Sequence, residues 1–252
     1  LGFPWCIGIE SGGATGWAAT DWMEEYVLRY GGEAEYTAWW KGKLAWSSPT
    51  VQKAAKKFAE VALTPGNVNG GGKAIAATGF GATANLFATD KNKCFMMRQG
   101  SFITDFFPDA VKAEYKANNF TRVGVFKLPA PAGTTDAVLG GGDLAAAFDA
   151  NPATQKVLNF ILSDKLGTGA MLATYPSYLS AHKTFPSAGY KNPITKNIAG
   201  ILSTAKLFGF DGSDLAPAVV NATEWKELTN WIAGKKTQKQ AFDAIDASWS
   251  KA

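Results

Sequence analysis

Histidine and cysteine are scarce in this sequence: one histidine, His182, and two cysteines occur among 252 residues. One imidazole and two distant thiols do not form the ligand set of a metal site, so we predict no metal. Nothing near His182 marks it as a catalytic base, and we expect a surface or hydrogen-bonded residue. The P-loop, the Gly-x-Ser-x-Gly elbow and the His-Glu-x-x-His pattern are also absent, which argues against the common hydrolases that use them.

Long apolar runs and dense charge are lacking as well. No apolar run approaches the roughly 18 residues of a membrane helix, and the mean hydropathy is −0.07. Residues 1–4 lack the basic start and apolar core of a signal peptide, so we expect a mature secreted product or a fragment. The net charge is +4 with scattered lysines, which favours solvated helix faces and argues against nucleic-acid binding.

Aromatic residues, in contrast, are abundant. They make up 13% of the chain and include nine tryptophans, within a hydrophobic fraction of 46%. Most of them must fill a core. The surplus of tryptophan near glycine-rich loops suits stacking against sugar rings, which have apolar faces and polar edges. A chain of this length is long for one compact domain and leaves room for two lobes.

The N-terminal stretch reads as a strand, a loop and a helix. Residues 6–9 form an apolar run of strand type, and residues 10–16 form a loop with three glycines. Thr20 opens a helix over residues 21–30 that has acidic residues in its first turns and ends at Gly31-Gly32. Such a unit commonly builds a ligand-facing rim in an α/β protein. Exposed amides, hydroxyls and the indole of Trp17 suit a polar, uncharged ligand with an apolar face.

The two cysteines, Cys6 and Cys94, occur in similar surroundings, because each begins a strand-like run that a glycine-containing loop follows. If these strands are neighbours, the thiols could be bridged, which an exported protein would allow. Two buried free thiols are the alternative.

Later patterns predict further elements. Pro49 opens a helix over residues 49–62. We also expect helices at 82–88, 105–119 and 151–162, a second strand-then-loop unit at 94–102 and a strand at 123–128. Residues 79–84 match the shape of a dinucleotide fingerprint, but no clear strand precedes them and no acidic residue stands where it could bind a ribose. A helix start is the better interpretation.

Four stretches carry a family resemblance: residues 5–25, 94–102, 123–143 and 210–249. Together they resemble the extracellular solute-binding proteins, family 1, of ABC-type sugar importers, in the branch that takes up α-glucosides. The resemblance implies an α/β fold of the type II periplasmic-binding-protein class, with a mixed sheet flanked by helices. It also implies that the two-lobed architecture is incomplete. Residues 1–130 and 198–252 would form the C-terminal lobe, and residues 136–195 would return to an N-terminal lobe that is otherwise absent or on another chain.

The resemblance and the loop chemistry together give a candidate ligand site. Phe102 matches a family aromatic that stacks on sugar, although a core position at a strand end is the alternative. Gly141 and Gly142 would let a ligand approach the main chain closely, and Asp143 could accept two sugar hydroxyls or else cap a helix. The full candidate set is Ser11, Gly13, Trp17, Phe102, Gly141, Gly142, Asp143, Asn221 and Trp225.

The expected function is therefore sugar binding without catalysis, followed by delivery to a membrane permease. No cofactor is expected, and the expected location is extracellular or periplasmic, with lipid anchoring in the full-length protein as one form. A glycoside hydrolase is the alternative from another class, since it needs two carboxylates at defined separation. Glu10, Asp21, Glu24 and Asp143 are candidates by residue type. A nucleotide-dependent enzyme would rest on residues 79–84 alone.

Overall fold

A computed structural model describes residues 2–87, 93–117, 122–168, 170–175, 177–182 and 184–251. The chain divides into two compact units. Unit 1 comprises Leu1–Gln99, Leu128–Gly140 and Ala205–Ala252, and unit 2 comprises Gly100–Lys127 and Gly141–Thr204. The lobe boundaries predicted above refer to a complete two-lobed protein and stay a prediction.

The described helices and strands are mixed along the chain, as the α/β class predicts. The helices are α1 (Trp17–Trp40), α2 (Pro49–Ala62), α3 (Gly71–Ala77), α4 (Asp109–Lys116), α5 (Pro152–Ile161), α6 (Ala170–Thr174), α7 (Pro193–Thr204), α8 (Ala218–Ile232) and α9 (Gln238–Ser248). The strands are β1 (Phe3–Trp5), β2 (Cys94–Met96), β3 (Ala137–Gly140) and β4 (Leu207–Phe210). Within the described ranges, no helix is both long and apolar enough to span a bilayer.

Helix α1 is longer than predicted at both ends. It begins at Trp17, after Gly16 with φ 117°, and it continues past Gly32, whose φ of 65° and ψ of −171° break the helical path. Thr20 is therefore not the N-cap: its hydroxyl donates to the carbonyl of Trp17 inside the first turn. The predicted stop at Gly31-Gly32 corresponds to this kink, because glycine adopts a positive φ at little cost.

Helix α2 has the predicted bounds, with Ser48 extended before it and Pro49 in its first turn. Its apolar face packs on α1, where the rings of Phe58 and Trp22 lie 6.1 Å apart. The same face meets α8, where Phe58 and Trp231 lie 5.7 Å apart. The core of unit 1 is thus rich in aromatic residues, and most of the tryptophans lie in it or pack against it. Its fully buried large side chains include Trp22, Trp46, Phe58 and Phe242.

Two parallel strand pairs complete unit 1. Strand β1 pairs with β2, and β3 pairs with β4 with Gly140 opposite Phe210. The strand predicted at residues 6–9 is wrong: the ladder with β2 ends at Trp5, and the chain next pairs only at Glu10, in a bridge to Gly79. The parallel pairing of β1 and β2 brings Cys6 and Cys94 together as a disulfide with a Cα–Cα distance of 5.4 Å.

Unit 2 contains α4 to α7. Its best-buried contacts tie α4 to α7, since the amide of Asn192 donates to the carbonyl of Tyr115 and the Tyr115 hydroxyl meets that of Thr195. The helix predicted at 105–119 begins later than predicted, because residues 101–106 form a 3-10 turn and Pro108 precedes α4. Residues 118 and 119 of that prediction lie outside the described residues. The strand predicted at 123–128 is wrong, since residues 123–128 pair with no strand among the described residues. Of the helix predicted at 82–88, residues 81–85 form a 3-10 turn and residue 88 lies outside the described residues.

Candidate functional site

The glycine-rich loop at residues 10–16 is held by its own polar groups. The amide of Gly12 donates to the Glu10 carboxylate at 2.8 Å, and the amide of Ser11 donates to the Thr15 hydroxyl at 3.0 Å. That hydroxyl in turn donates to the carbonyl of Gly12. Gly13 is exposed, and a Cβ added to it would meet nothing within 4 Å. These hydrogen bonds therefore hold the loop in a conformation that exposes its backbone to solvent.

Trp17 begins α1 directly after this loop and is half-buried. Its ring meets Phe80 edge to face, with centroids 5.1 Å apart and an angle of 70°. Phe80 reaches this position because its amide donates to the carbonyl of Glu10 at 3.1 Å. Sequence reasoning missed Phe80. The signal that selected Trp17, an aromatic residue beside glycines, is present in Gly79-Phe80-Gly81 and could have found it.

Helix α8 lies against the end of the loop. A Cβ on Gly16 would collide with the carbonyl of Trp225, so the two backbones are in close contact. Asn221 and Trp225 are four residues apart and share a face of the helix. The Trp225 Nε1–H and the Asn221 Oδ1 are buried and have no hydrogen-bond partner among the described residues. Ser11, Gly13, Trp17, Asn221 and Trp225 therefore all belong to unit 1, and the Gly16–Trp225 contact connects the loop with the helix.

A buried carboxylate fixes the turn that precedes α8. Glu24 is 0% exposed and accepts hydrogen bonds from the amides of Gly212 and Ser213 and from the Tyr36 hydroxyl, at 2.7, 3.2 and 3.0 Å. Burial raises the pKa of Glu24 well above its usual value, and the charge of Asp211 adds to the shift. This carboxylate orders the turn at residues 211–215, which leads into α8.

Asp21 belongs to a second polar network on α1. It pairs with Arg98 at 2.7 Å, and Arg98 also reaches Glu25 at 3.4 Å. Glu25 is bonded to Arg29, whose Nη2 donates to the carbonyl of Ala137. Burial raises the pKa of Asp21 to about 6, although the guanidinium of Arg98 opposes the shift.

These contacts bear on the hydrolase alternative. Asp21 is ion-paired, Glu24 is closed off from solvent, and Glu10 accepts from its own loop. Their contacts are structural, which gives the hydrolase alternative no support within unit 1. No group of acidic, cysteine or histidine residues suited to a metal ion occurs among the residues described.

The remaining candidates belong to unit 2. Phe102 is 41% exposed and lies in the 3-10 turn at Ser101–Phe106, where its ring covers Gly100. Gly141, Gly142 and Asp143 are exposed and irregular, directly after β3. Asp143 does not cap a helix, because α5 begins at Pro152 with Asn151 as its cap. The role of all nine candidate residues in ligand binding stays a prediction.

Two known proteins are similar to this chain over nearly all of its length. No family model matches the chain. The osmoprotective compounds-binding protein of Synechocystis sp. is 32% identical over 250 residues, which cover 98% of this chain and 57% of that protein. The alpha-glucosides-binding periplasmic protein of Rhizobium meliloti is 33% identical over 247 residues, which cover 98% of this chain and 53% of that protein.

A solved structure shows the fold. A chitin oligosaccharide binding protein superposes with a TM-score of 0.73 at 16% identity, over 99% of this chain and 60% of that one. This confirms the predicted binding-protein fold. The chain thus spans about half the length of the curated relatives that it matches. Over that stretch the chain is similar to proteins named for binding osmoprotective compounds and alpha-glucosides, which confirms the resemblance seen in its sequence.

Proposed function

We propose that this chain is the carbohydrate-binding part of an extracellular or periplasmic solute-binding protein. It binds an α-glucoside or another oligosaccharide non-covalently and delivers it to the membrane permease of an ABC importer, without catalysis. The observation that carries the proposal is the identity of about one third, across 98% of the chain, with two proteins named for binding osmoprotective compounds and alpha-glucosides.

The geometry of unit 1 supports a sugar. The exposed amides of the loop and the Trp17–Phe80 pair combine hydrogen-bonding groups with an apolar surface, which matches the two kinds of surface on a pyranose ring. Asn221 and Trp225 lie on α8, whose backbone touches the end of the loop at Gly16, and they would border the sugar at this rim.

The candidates in unit 2 are proposed by themselves. Phe102 would stack on a sugar ring, and Gly141, Gly142 and Asp143 would bind sugar hydroxyls. Binding proteins of two lobes enclose their ligand by hinge closure. Polypeptide equivalent to the rest of the relatives' length would complete the N-terminal lobe and the cleft.

The test follows tryptophan fluorescence and reducing-end release while the chain is titrated with α-linked maltotriose, with β-linked cellotriose as the comparison. Saturable fluorescence change without new reducing ends is expected, with a dissociation constant of about 1 mM, since an incomplete cleft gives up part of the contact area. Release of reducing ends would establish hydrolysis and end the proposal. Absence of saturation with either sugar would also count against it.

A further inference from the structure

Trp17 and Phe80 are attached to consecutive residues of one backbone segment in unit 1. The carbonyl of Ile9 accepts a hydrogen bond from the amide of Gly16, the residue before Trp17, at 3.0 Å. The carbonyl of Glu10, the next residue, accepts from the amide of Phe80 at 3.1 Å. The edge-to-face contact of the two rings, with centroids 5.1 Å apart, therefore depends on backbone hydrogen bonds to one short segment.

The segment that carries Phe80 is fixed on both sides. Before it, Ile75 is fully buried, and its carbonyl accepts from the amide of Ile9 at 3.1 Å. After it, Ala84 is fully buried, and the hydroxyl of Thr83 donates to the carbonyl of Phe80. Phe80 itself is half-buried. Well-packed neighbours thus hold its backbone in place, while the residue keeps some exposure to solvent.

The indole of Trp17 needs lateral support, because a tryptophan side chain has several staggered conformations to choose from. Trp17 packs against the hydrophobic core of unit 1 but is only half-buried, so the core does not enclose its ring. An edge-to-face contact between aromatic rings is stabilising beyond the area that it buries. Phe80 therefore favours one orientation of the indole.

We propose that Phe80 is a positioning residue for sugar binding, which fixes the orientation of the Trp17 indole and thereby the stereochemical selectivity of this rim. The inference rests on the proposed function, which takes Trp17 as a stacking surface. Stacking uses the C–H face of a pyranose, and α- and β-linked chains present these faces in different directions. An indole held in one orientation accepts one of these arrangements. An indole that turns accepts both more weakly, since its ordering then costs free energy on binding.

Fluorine NMR of the chain labelled with 5-fluorotryptophan reports on the indole without any sugar, and Trp17→Phe assigns the Trp17 resonance. We expect one sharp resonance in the unsubstituted chain. Phe80→Leu keeps an apolar side chain but removes the ring, so exchange between indole orientations should broaden or split the resonance. Phe80→Tyr keeps the ring and should keep the resonance sharp. Phe95→Leu removes a ring from β2 at a position with 54% exposure, and this control should also leave the resonance sharp.

Titration calorimetry with maltotriose and cellotriose tests the selectivity. Phe80→Leu should weaken binding of the preferred sugar by about fivefold and of the other by less than about twofold, so that the ratio of the two affinities narrows. Phe80→Tyr and Phe95→Leu should keep the ratio of the unsubstituted chain. Urea unfolding checks that each variant is folded under the titration conditions. Phe80→Met, which also lacks the ring, repeats the test with a more flexible side chain.

Two results would overturn the inference and leave the proposed function standing. One is a Trp17 resonance that is as sharp in Phe80→Leu as in the unsubstituted chain. The other is an equal loss of affinity for both sugars in that variant. Absence of sugar binding by the unsubstituted chain would instead remove the proposed function and the selectivity with it, whereas the fluorine spectra would still decide whether Phe80 orients the indole.

Discussion

The carboxylate of Glu24 accepts a hydrogen bond from the backbone amide of Gly212 at 2.7 Å, across 188 positions of sequence. Helix α1 thereby holds the turn that leads into α8. The same helix begins at Trp17 and contacts the 137–140 strand through Arg29. One helix thus connects the proposed sugar rim with the strands of unit 1 through buried polar contacts.

Glu24→Ala should destabilise the protein by about 3 kcal/mol. The Ser213 amide loses its acceptor, and the Gly212 amide and the Tyr36 hydroxyl each lose one of two acceptors. Urea unfolding monitored by tryptophan fluorescence measures the change. Glu24→Gln keeps an acceptor oxygen and should cost about 1 kcal/mol. Glu33→Ala, on an exposed position of the same helix, should change the stability by less than about 0.5 kcal/mol. Equal losses for Glu24→Ala and Glu33→Ala would show that the Glu24 contacts contribute nothing.

The buried Glu224 should make stability fall as pH rises. Burial raises the pKa of Glu224 from 4.5 to about 8, although a hydrogen bond from Trp46 opposes the shift. Between pH 4.5 and pH 8, Glu224 is ionised in the unfolded chain but keeps its proton in the folded chain. The stabilisation that is present below pH 4.5 is therefore lost as the pH approaches 8. From pH 5 to pH 8 the loss should be about 3 kcal/mol.

Glu224→Gln isolates this contribution, since the amide has no charge to lose. Unfolding free energies of the two proteins should be similar near pH 5, and the variant should be the more stable one at pH 8. Asp21, whose pKa is raised to about 6, makes the same pH-dependent contribution to stability in both proteins. This contribution therefore cancels from the difference between their unfolding free energies. If the difference in unfolding free energy between the two proteins stays constant from about pH 5 to pH 8, Glu224 is not the cause of the pH dependence.

Reduction of the Cys6–Cys94 disulfide should lower the stability by about 4–5 kcal/mol, because the bridge closes a loop of 88 residues and restricts the unfolded chain. Thermal unfolding with and without a reducing agent measures this loss of stability. The Cys6→Ala, Cys94→Ala double variant should match the reduced protein and be insensitive to the agent. An unchanged melting temperature in the double variant would contradict the expectation.

Gly16→Ala should destabilise by about 2–4 kcal/mol, since the new methyl group collides with the carbonyl of Trp225 at a position with φ 117°. Gly66→Ala is the matched control. Gly66 has φ 90° and open space around it, so this variant has the backbone strain without the collision and should cost about 1 kcal/mol. Chemical denaturation of both variants gives the comparison, and equal costs would mean that the loop moves freely away from α8.

Trp17→Ala and Phe102→Ala should each weaken sugar binding by about tenfold, or about 1.4 kcal/mol, through loss of stacking area. Titration calorimetry with the sugar that binds in the fluorescence assay measures the affinity. Phe95→Ala is the control, because Phe95 is an aromatic residue with 54% exposure that lies on β2 and is not a candidate. Unchanged affinity in both Trp17→Ala and Phe102→Ala would remove these residues from the site.

Several elements could be predicted from local sequence. The bounds of α2 follow from Pro49 and a helical apolar period, and the kink of α1 follows from Gly31-Gly32, because these signals act on neighbouring backbone. The family resemblance rested on short motifs and is confirmed by relatives that match 98% of the chain. Glycine-rich and aromatic composition also suggested the chemistry of the proposed ligand before any fold was known.

Tertiary structure decided what depends on distant partners. The sequence did not decide whether Cys6 and Cys94 form a disulfide, because their pairing requires β1 and β2 to lie side by side. Glu24 looked like a favourable charge in a first helical turn, whereas the fold makes it a buried acceptor for residues 212 and 213. Phe80 was passed over because its contact with Trp17 arises from the bridge between Glu10 and Gly79. Periodicity and turn residues act over a few positions, while disulfides, buried carboxylates and ring contacts arise only when remote segments pack together.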